Sequence, residues 1–182
     1  FKKCLLTTSC TDALEMCALL LNIQPGDEVI MPSFTFVATA LAFVRQGAVI
    51  RFVDSRNDHP GIDETLIESV ITPKTKGVVI CNPNNPTGYL YSKEELSQIR
   101  DVVKKHDLFL FSDEAYREYC YDGAEFHSAM NINGIENNVI LIDSVSKRYS
   151  ECGIRIGALV TRNKEVISTA LKYGQARLSP PG

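Results

Sequence analysis

Seven short apolar runs, rich in β-branched residues, recur along the chain: C-L-L-T-T-S (4–9), D-E-V-I-M-P (27–32), A-V-I-R-F-V-D (48–54), G-V-V-I-C-N (77–82), L-F-L-F-S-D (108–113), V-I-L-I-D-S (139–144) and I-R-I-G-A-L-V-T (154–161). Each has the length of a strand. Amphipathic stretches separate them. Ser92 and Glu95 form a capping-box pattern, and Leu96, Ile99 and Val103 follow at helical spacing. Thr11–Leu21, Phe36–Gln46 and Asp63–Ile71 read as further helices, the first two ending near Pro25-Gly26 and Gly47.

Strand and helix in alternation predict an α/β fold: a three-layer α/β/α domain around a mainly parallel seven-stranded sheet. The link Lys147–Gly153 is too short for a crossover helix, so the last strand is expected to run antiparallel. In open α/β sheets ligands bind beyond the carboxyl ends of the parallel strands, and an antiparallel strand begins on that same edge. Thr11, Phe36, Asn85, Asp113 and Lys147 each close or follow a predicted strand, and Arg155 opens the antiparallel one. Six loops thereby converge on one rim.

The chain has 182 residues, enough for one domain that buries roughly 70% of its unfolded surface. No repeat or linker divides residues 1–182. A net charge of -3 without a basic block argues against nucleic acid, and no apolar run is long enough to span a membrane. Any anionic ligand must therefore be held by local groups. Cys4, Cys10, Cys17, Cys81, Cys120 and Cys152 contain no C-x-x-C pair and read as reduced thiols of a cytoplasmic protein; His59, His106 and His127 lack zinc spacing. The chain opens on Phe1 without a signal-peptide pattern and reads as an excised or processed piece.

T-T-S-C-T-D-A-L-E leads a strand into a helix through small polar residues. The unpaired N–H groups of Cys10 and Thr11, with the hydroxyls of Ser9 and Thr11, suit a phosphate; a plain N-cap at Thr11 suits the same pattern. C-N-P-N-N-P-T-G is either a turn or a device that aims Asn85 at the rim. Asp113 ends a strongly apolar run, where an anion needs a cationic partner, and Tyr116 follows within a turn; a helix cap is the competing reading of Asp113. A cleft lysine that loses its proton can attack an aldehyde and give a Schiff base. Pyridoxal 5′-phosphate (PLP) carries an aldehyde, a phosphate, a ring nitrogen that wants an acid and a phenolic oxygen that wants donors, so it would use every group on the rim.

S-V-S-K-R-Y-S-E-C-G-I-R-I-G (144–157) closely resembles the PLP-attachment signature of class I aspartate and aromatic aminotransferases, and nearly the whole chain resembles the large domain of fold type I PLP-dependent aminotransferases. The resemblance implies a Schiff base on Lys147, a phosphate held by Ser144, Ser146 and Arg155 with the Ser9, Cys10, Thr11 turn, and Asp113 on the ring nitrogen. It further implies Asn85 and Tyr116 on the ring oxygen. Phe36, in P-S-F-T-F-V-A-T, is either the ring-stacking aromatic or a core residue. The implied reaction moves an amino group between an amino acid and a keto acid, with Lys147 as the base, and the implied assembly is a homodimer.

Q-P-G-D-E-V-I-M-P-S-F-T-F-V-A-T-A and A-V-I-R-F-V-D resemble the sugar-nucleotide aminotransferase branch instead, whereas the chain from Val78 onward resembles class I. This implies a hybrid, natural or constructed, joined within 71–80. Family members also carry a longer N-terminal part and a smaller domain beyond A-R-L-S-P-P (176–181), which implies that this chain turns over weakly. Two other readings are an α/β scaffold without catalytic function and a nucleotide- or flavin-binding domain; the second lacks a glycine fingerprint.

Overall fold

The computed structural model describes residues 5–177, the side chains of 175–177 apart; the features noted at Phe1, Cys4 and Leu178–Pro181 lie outside the described residues. Strands β1 (Leu5–Thr7), β2 (Glu28–Pro32), β3 (Val49–Val53), β4 (Thr75–Cys81), β5 (Phe109–Asp113), β6 (Val139–Ser144) and β7 (Gly157–Thr161) coincide with the seven apolar runs. They form one seven-stranded sheet in the order β1-β7-β6-β5-β4-β2-β3. Neighbours from β3 through β6 are parallel, and β7 lies antiparallel between β6 and β1. The short link before β7 has the expected effect on its direction.

Side chains alternate across the sheet between two apolar layers. Val29, Met31, Val79, Phe111, Ile140, Ile142 and Leu159 face one core, shared with α1 (Cys10–Leu20), α2 (Val37–Val44) and α5 (Lys164–Arg177). Ile30, Val78, Ile80, Leu110, Val139 and Leu141 face the other, shared with α3 (Lys93–Lys105). Both faces are thus covered, which is why these strands read as continuous apolar runs rather than alternating ones. Phe43 of α2 and Phe111 of β5 are fully buried with ring centroids 5.4 Å apart. A side chain of that size contributes about 1.5–3 kcal/mol by burial. Residues on both sides of 71–80 share these two cores.

Ser92 caps α3 through the predicted reciprocal bonds: its Oγ accepts from Glu95 N–H at 3.2 Å, and Glu95 Oε2 accepts from Ser92 N–H at 2.7 Å. The stretch expected as a helix over Asp63–Ile71 is instead a 3-10 helix over Glu64–Val70. Leu66 N–H donates to Asp63 C=O at 3.0 Å, closing the turn at three-residue spacing. Only Glu64 and Ile67 of that segment are buried, so a full α-helical stripe has nothing to cover there. No helix among the described residues is long and apolar enough to cross a membrane. All described cysteines are free.

Candidate active site

A cleft of about 250 Å³ opens at the carboxyl ends of β4, β5 and β6. Ser9, Cys10, Thr11, Phe36, Asn85, Asp113, Tyr116, Ser144, Ser146, Lys147 and Arg155 all line it, so the structure brings together every residue singled out from the sequence.

On one side, β1 ends at Thr7 and Ser9 caps α1, its Oγ accepting from Asp12 N–H at 3.0 Å. Thr7 Oγ1 donates to Ser9 C=O at 2.8 Å and fixes the turn from below. The first N–H groups of α1, those of Cys10 and Thr11 included, have no partner inside the helix. Across the cleft, Ser144 ends β6 and caps the single-turn helix α4 (Val145–Arg148), accepting from Ser146 N–H at 3.1 Å. Its hydroxyl lies 2.8 Å from Ser146 Oγ and 3.1 Å from Ile156 C=O. Gly157 binds the two sides together, because it pairs with Thr7 on β1 and with Ser144 on β6.

Asp113 closes β5 and is only 9% exposed. Its Oδ1 accepts from Ala115 N–H at 3.1 Å and its Oδ2 from Cys10 Sγ at 3.3 Å, so it turns the chain locally instead of capping a helix. No cation pairs with it among the described residues, contrary to the expectation for an anion in so apolar a place. Burial therefore raises its pKa; the two hydrogen bonds oppose the rise and the charge of Asp143 adds to it. Burial, and then Asp113, push the Cys10 thiol well up.

Asn85 sits half-buried in a loop that its neighbour pins: Asn84 Nδ2 donates to Phe34 C=O at 3.1 Å and to Thr87 Oγ1 at 2.8 Å. The Asn82-Pro83 and Asn85-Pro86 peptide bonds are cis. Phe36 precedes α2 and the residue is 56% exposed, so its ring is not part of either core. Lys147 lies in α4, and its carbonyl accepts from Tyr119 OH at 2.5 Å. Arg155 corrects the sequence reading: β7 begins at Gly157, and Arg155 stands two residues earlier with φ 60°. That left-handed backbone costs about 1–3 kcal/mol in a side-chain-bearing residue. Arg155 Nη1 donates to Cys152 C=O at 2.8 Å.

Neither Lys147 nor Arg155 has a carboxylate partner among the described residues. The cleft thus offers two cations to an anion and, on its floor, one unpaired anion to a cation. Sequence reasoning missed that Cys81 and Cys152 line the same space and that the side chain of Cys10 meets Asp113. A cysteine at a strand end looks like core filling, and nothing in its spacing says otherwise. No cluster among the described residues could hold a metal ion.

The sequence pattern of the family Aminotransferase class I and II matches residues 2–181. Among curated relatives, the glutamate-pyruvate aminotransferase AlaA of Escherichia coli is 36% identical over 141 residues, 76% of this chain and 34% of that protein. The aspartate aminotransferase of Thermotoga maritima is 32% identical over 162 residues, 87% of this chain and 42% of that protein. The solved aromatic aminotransferase of Pyrococcus horikoshii superposes with a TM-score of 0.89 at 27% identity, covering 96% of this chain and 47% of its own. Cystalysin of Treponema denticola, whose structure contains a pyridoxal 5′-phosphate cofactor, shares the fold with a TM-score of 0.89 at 23% identity. The chain spans less than half the length of each of these proteins. By sequence pattern and by architecture, the chain belongs to the class I and II aminotransferases.

Proposed function

We propose that the cleft holds PLP attached to Lys147 and that the domain serves amino-group transfer between an amino acid and a keto acid. The observation that carries this reading is Asp113, a buried carboxylate without a cationic partner, on the floor of a cleft whose Lys147 and Arg155 lack anionic ones. A ligand with a basic ring nitrogen, an aldehyde and a phosphate answers all three. When bound, PLP would supply an aldehyde for amine exchange and a ring that accepts electrons from a substrate's α carbon.

The chain's own residues take these parts. The N–H groups of Cys10 and Thr11 with Ser9, Ser144, Ser146 and Arg155 hold the phosphate. Asp113 would keep a proton on the ring nitrogen, and the positive ring would offset the cost of burying the carboxylate's charge. Asn85 and Tyr116 donate to the ring oxygen, and Phe36 lies against the ring. Lys147 Nζ would carry the covalent attachment to the aldehyde, and its amine is the group in the cleft that would hold or move a proton at a substrate's α carbon. Arg155 is the only arginine among the lining residues. Once it is committed to phosphate, none remains to grip a substrate carboxylate. Orientation is worth about 7–11 kcal/mol of barrier, so turnover by these residues alone is expected to be low. The match to the relative from Thermotoga maritima covers 87% of this chain and so both sides of 71–80, and this reading needs no joint there. A second copy is part of the proposal, supported by the exposed apolar run Phe34, Phe36, Val37, Leu41 and Val44 beside the cleft.

Incubation with PLP followed by borohydride reduction and peptide mapping tests the reading. The expected result is one modified peptide, carrying the label on Lys147, that disappears in Lys147→Ala. Absence of label in the wild-type protein, or equal labelling of Lys147→Ala, would leave a scaffold without a working site as the better description.

A further inference from the structure

Three residues beside the cleft form an ionic cluster that the proposed chemistry does not use. Asp143 Oδ2 lies 2.8 Å from Arg148 Nη2 and 3.1 Å from Arg117 Nη2, and Asp143 Oδ1 is 3.0 Å from the same Arg148 nitrogen. Ser144 N–H also donates to Asp143 Oδ1, at 2.7 Å. Glu118 Oε1 stands 3.5 Å from Arg148 Nε. The Asp143 and Arg148 side chains are each 14% exposed, so the pair is largely shielded from solvent. Asp143 and its two arginines each adjoin a cleft residue in sequence: Asp143 precedes Ser144, Arg117 follows Tyr116, and Arg148 follows Lys147. Tyr119 OH, from the same turn as Arg117, closes the arrangement on Lys147 C=O at 2.5 Å.

The geometry points to Asp143 as a positioning residue that holds the Tyr116 turn and the Lys147 turn in register. Those turns follow different strands, β5 and β6, and the sheet ladder ends at Asp113 and Ser144. Beyond that point the ladder no longer fixes how far apart Tyr116 and Lys147 stand. The carboxylate of Asp143, last but one in β6, reaches both turns through one arginine from each. Removing one partner of a shielded ion pair leaves the other charge uncompensated, so the clamp fails as a unit. The consequence for the cleft rests on the PLP reading above; the clamp itself does not.

Hydrogen exchange without cofactor tests the clamp. In Asp143→Asn, exchange should accelerate in residues 116–121 and in 145–156 together, while 109–112 and 139–142 keep wild-type protection. Arg117→Gln, on a more exposed side chain, should produce a weaker version of the same paired change and keeps the test available if Asp143→Asn fails to fold. The double variant should exceed Asp143→Asn by less than the effect of Arg117→Gln alone. PLP should then be retained about tenfold less tightly by Asp143→Asn, with partial recovery in Asp143→Glu. Acceleration in one turn only, in neither, or uniformly across the sheet overturns the clamp, as does unchanged PLP retention where both turns have loosened. If the wild-type protein takes up no PLP, the proposed function fails, and the exchange pattern alone still decides the role of Asp143.

Discussion

Cys10 Sγ lies 3.3 Å from Asp113 Oδ2, joining the first residue of α1 to the last residue of β5 across the floor of the cleft. The contact ties the anion-binding turn to the buried acid, and it works in both directions. The thiol is one of only two hydrogen-bond donors that the acid receives from the protein among the described residues, and the acid's charge in turn makes the thiol harder to ionise.

Thiol reactivity should follow from this. Burial and Asp113 hold Cys10 neutral, and burial does the same for Cys17 and Cys81, whereas Cys152 is exposed. Iodoacetamide near neutral pH should modify Cys152 at least about tenfold faster than these three, because only an accessible thiolate reacts. Peptide mapping over a time course reads the order directly. Cys10 reacting as fast as Cys152 would mean that the thiol is not held against Asp113.

Asp113→Asn should move two measurements in opposite directions. Without cofactor, the carboxylate is buried with no cation, and its pKa is raised, so its stabilising contribution is lost as pH rises through the folded value. The neutral amide removes that cost, and the cofactor-free variant should unfold at higher urea than wild type at neutral pH. With PLP the variant should still be labelled on Lys147. Its retention should weaken by roughly 1.5–3 kcal/mol, about tenfold or more, the value of a hydrogen bond to a charged group. Equilibrium dialysis and urea melts check the two signs.

The strands were legible because burial on both faces writes itself as unbroken apolar runs, and α3 was legible because Ser92 and Glu95 satisfy its free N–H groups reciprocally. The rim was legible for a topological reason: residues just past parallel strands share one edge, so Asn85, Asp113 and Lys147 had to meet. What stayed hidden depends on side-chain direction beyond the strand ends. Arg155 could be placed near the rim, yet its φ of 60° follows from how Ser150–Ile156 folds back, which no pattern of hydrophobicity encodes. The partners of Asp143 were equally out of reach, since Arg117 and Arg148 look like ordinary surface charge until two loops are folded side by side.

Glu114 predicts a pH dependence. It is fully buried, and desolvation raises its pKa to about 7 although Ala129 N–H and the hydroxyls of Ser112 and Ser128 donate to it. A carboxyl with a raised folded pKa contributes stability that is complete below its unfolded pKa and is lost as pH rises through the folded one. Stability should therefore decline from about pH 4.5 to pH 7 and above, by about 3 kcal/mol for this residue. Glu114→Gln should flatten that decline while leaving the share from Asp113, whose pKa is also raised. Urea midpoints across the pH range provide the check, and an unchanged slope in the variant would place the titration elsewhere.

Gly157 should connect stability to anion binding. A Cβ built there would stand 2.4 Å from the carbonyl carbon and oxygen of Ser9 and 2.7 Å from Thr7 Oγ1. Two of those atoms are backbone, so Gly157→Ala can be accommodated only by moving β7 away from the turn that starts α1. Such overpacking costs typically about 1–3 kcal/mol. Because Gly157 also pairs with Ser144, the displacement spreads both walls of the proposed phosphate site at once. PLP affinity should therefore fall more than the affinity for pyridoxal, which lacks the phosphate but can still reach Lys147. Gly153→Ala, where a Cβ meets nothing within 4 Å, is the matched control and should leave stability unchanged. Equal losses for PLP and pyridoxal in Gly157→Ala would show that the damage reaches the ring rather than the phosphate, and that the walls joined by Gly157 do not form the anion site.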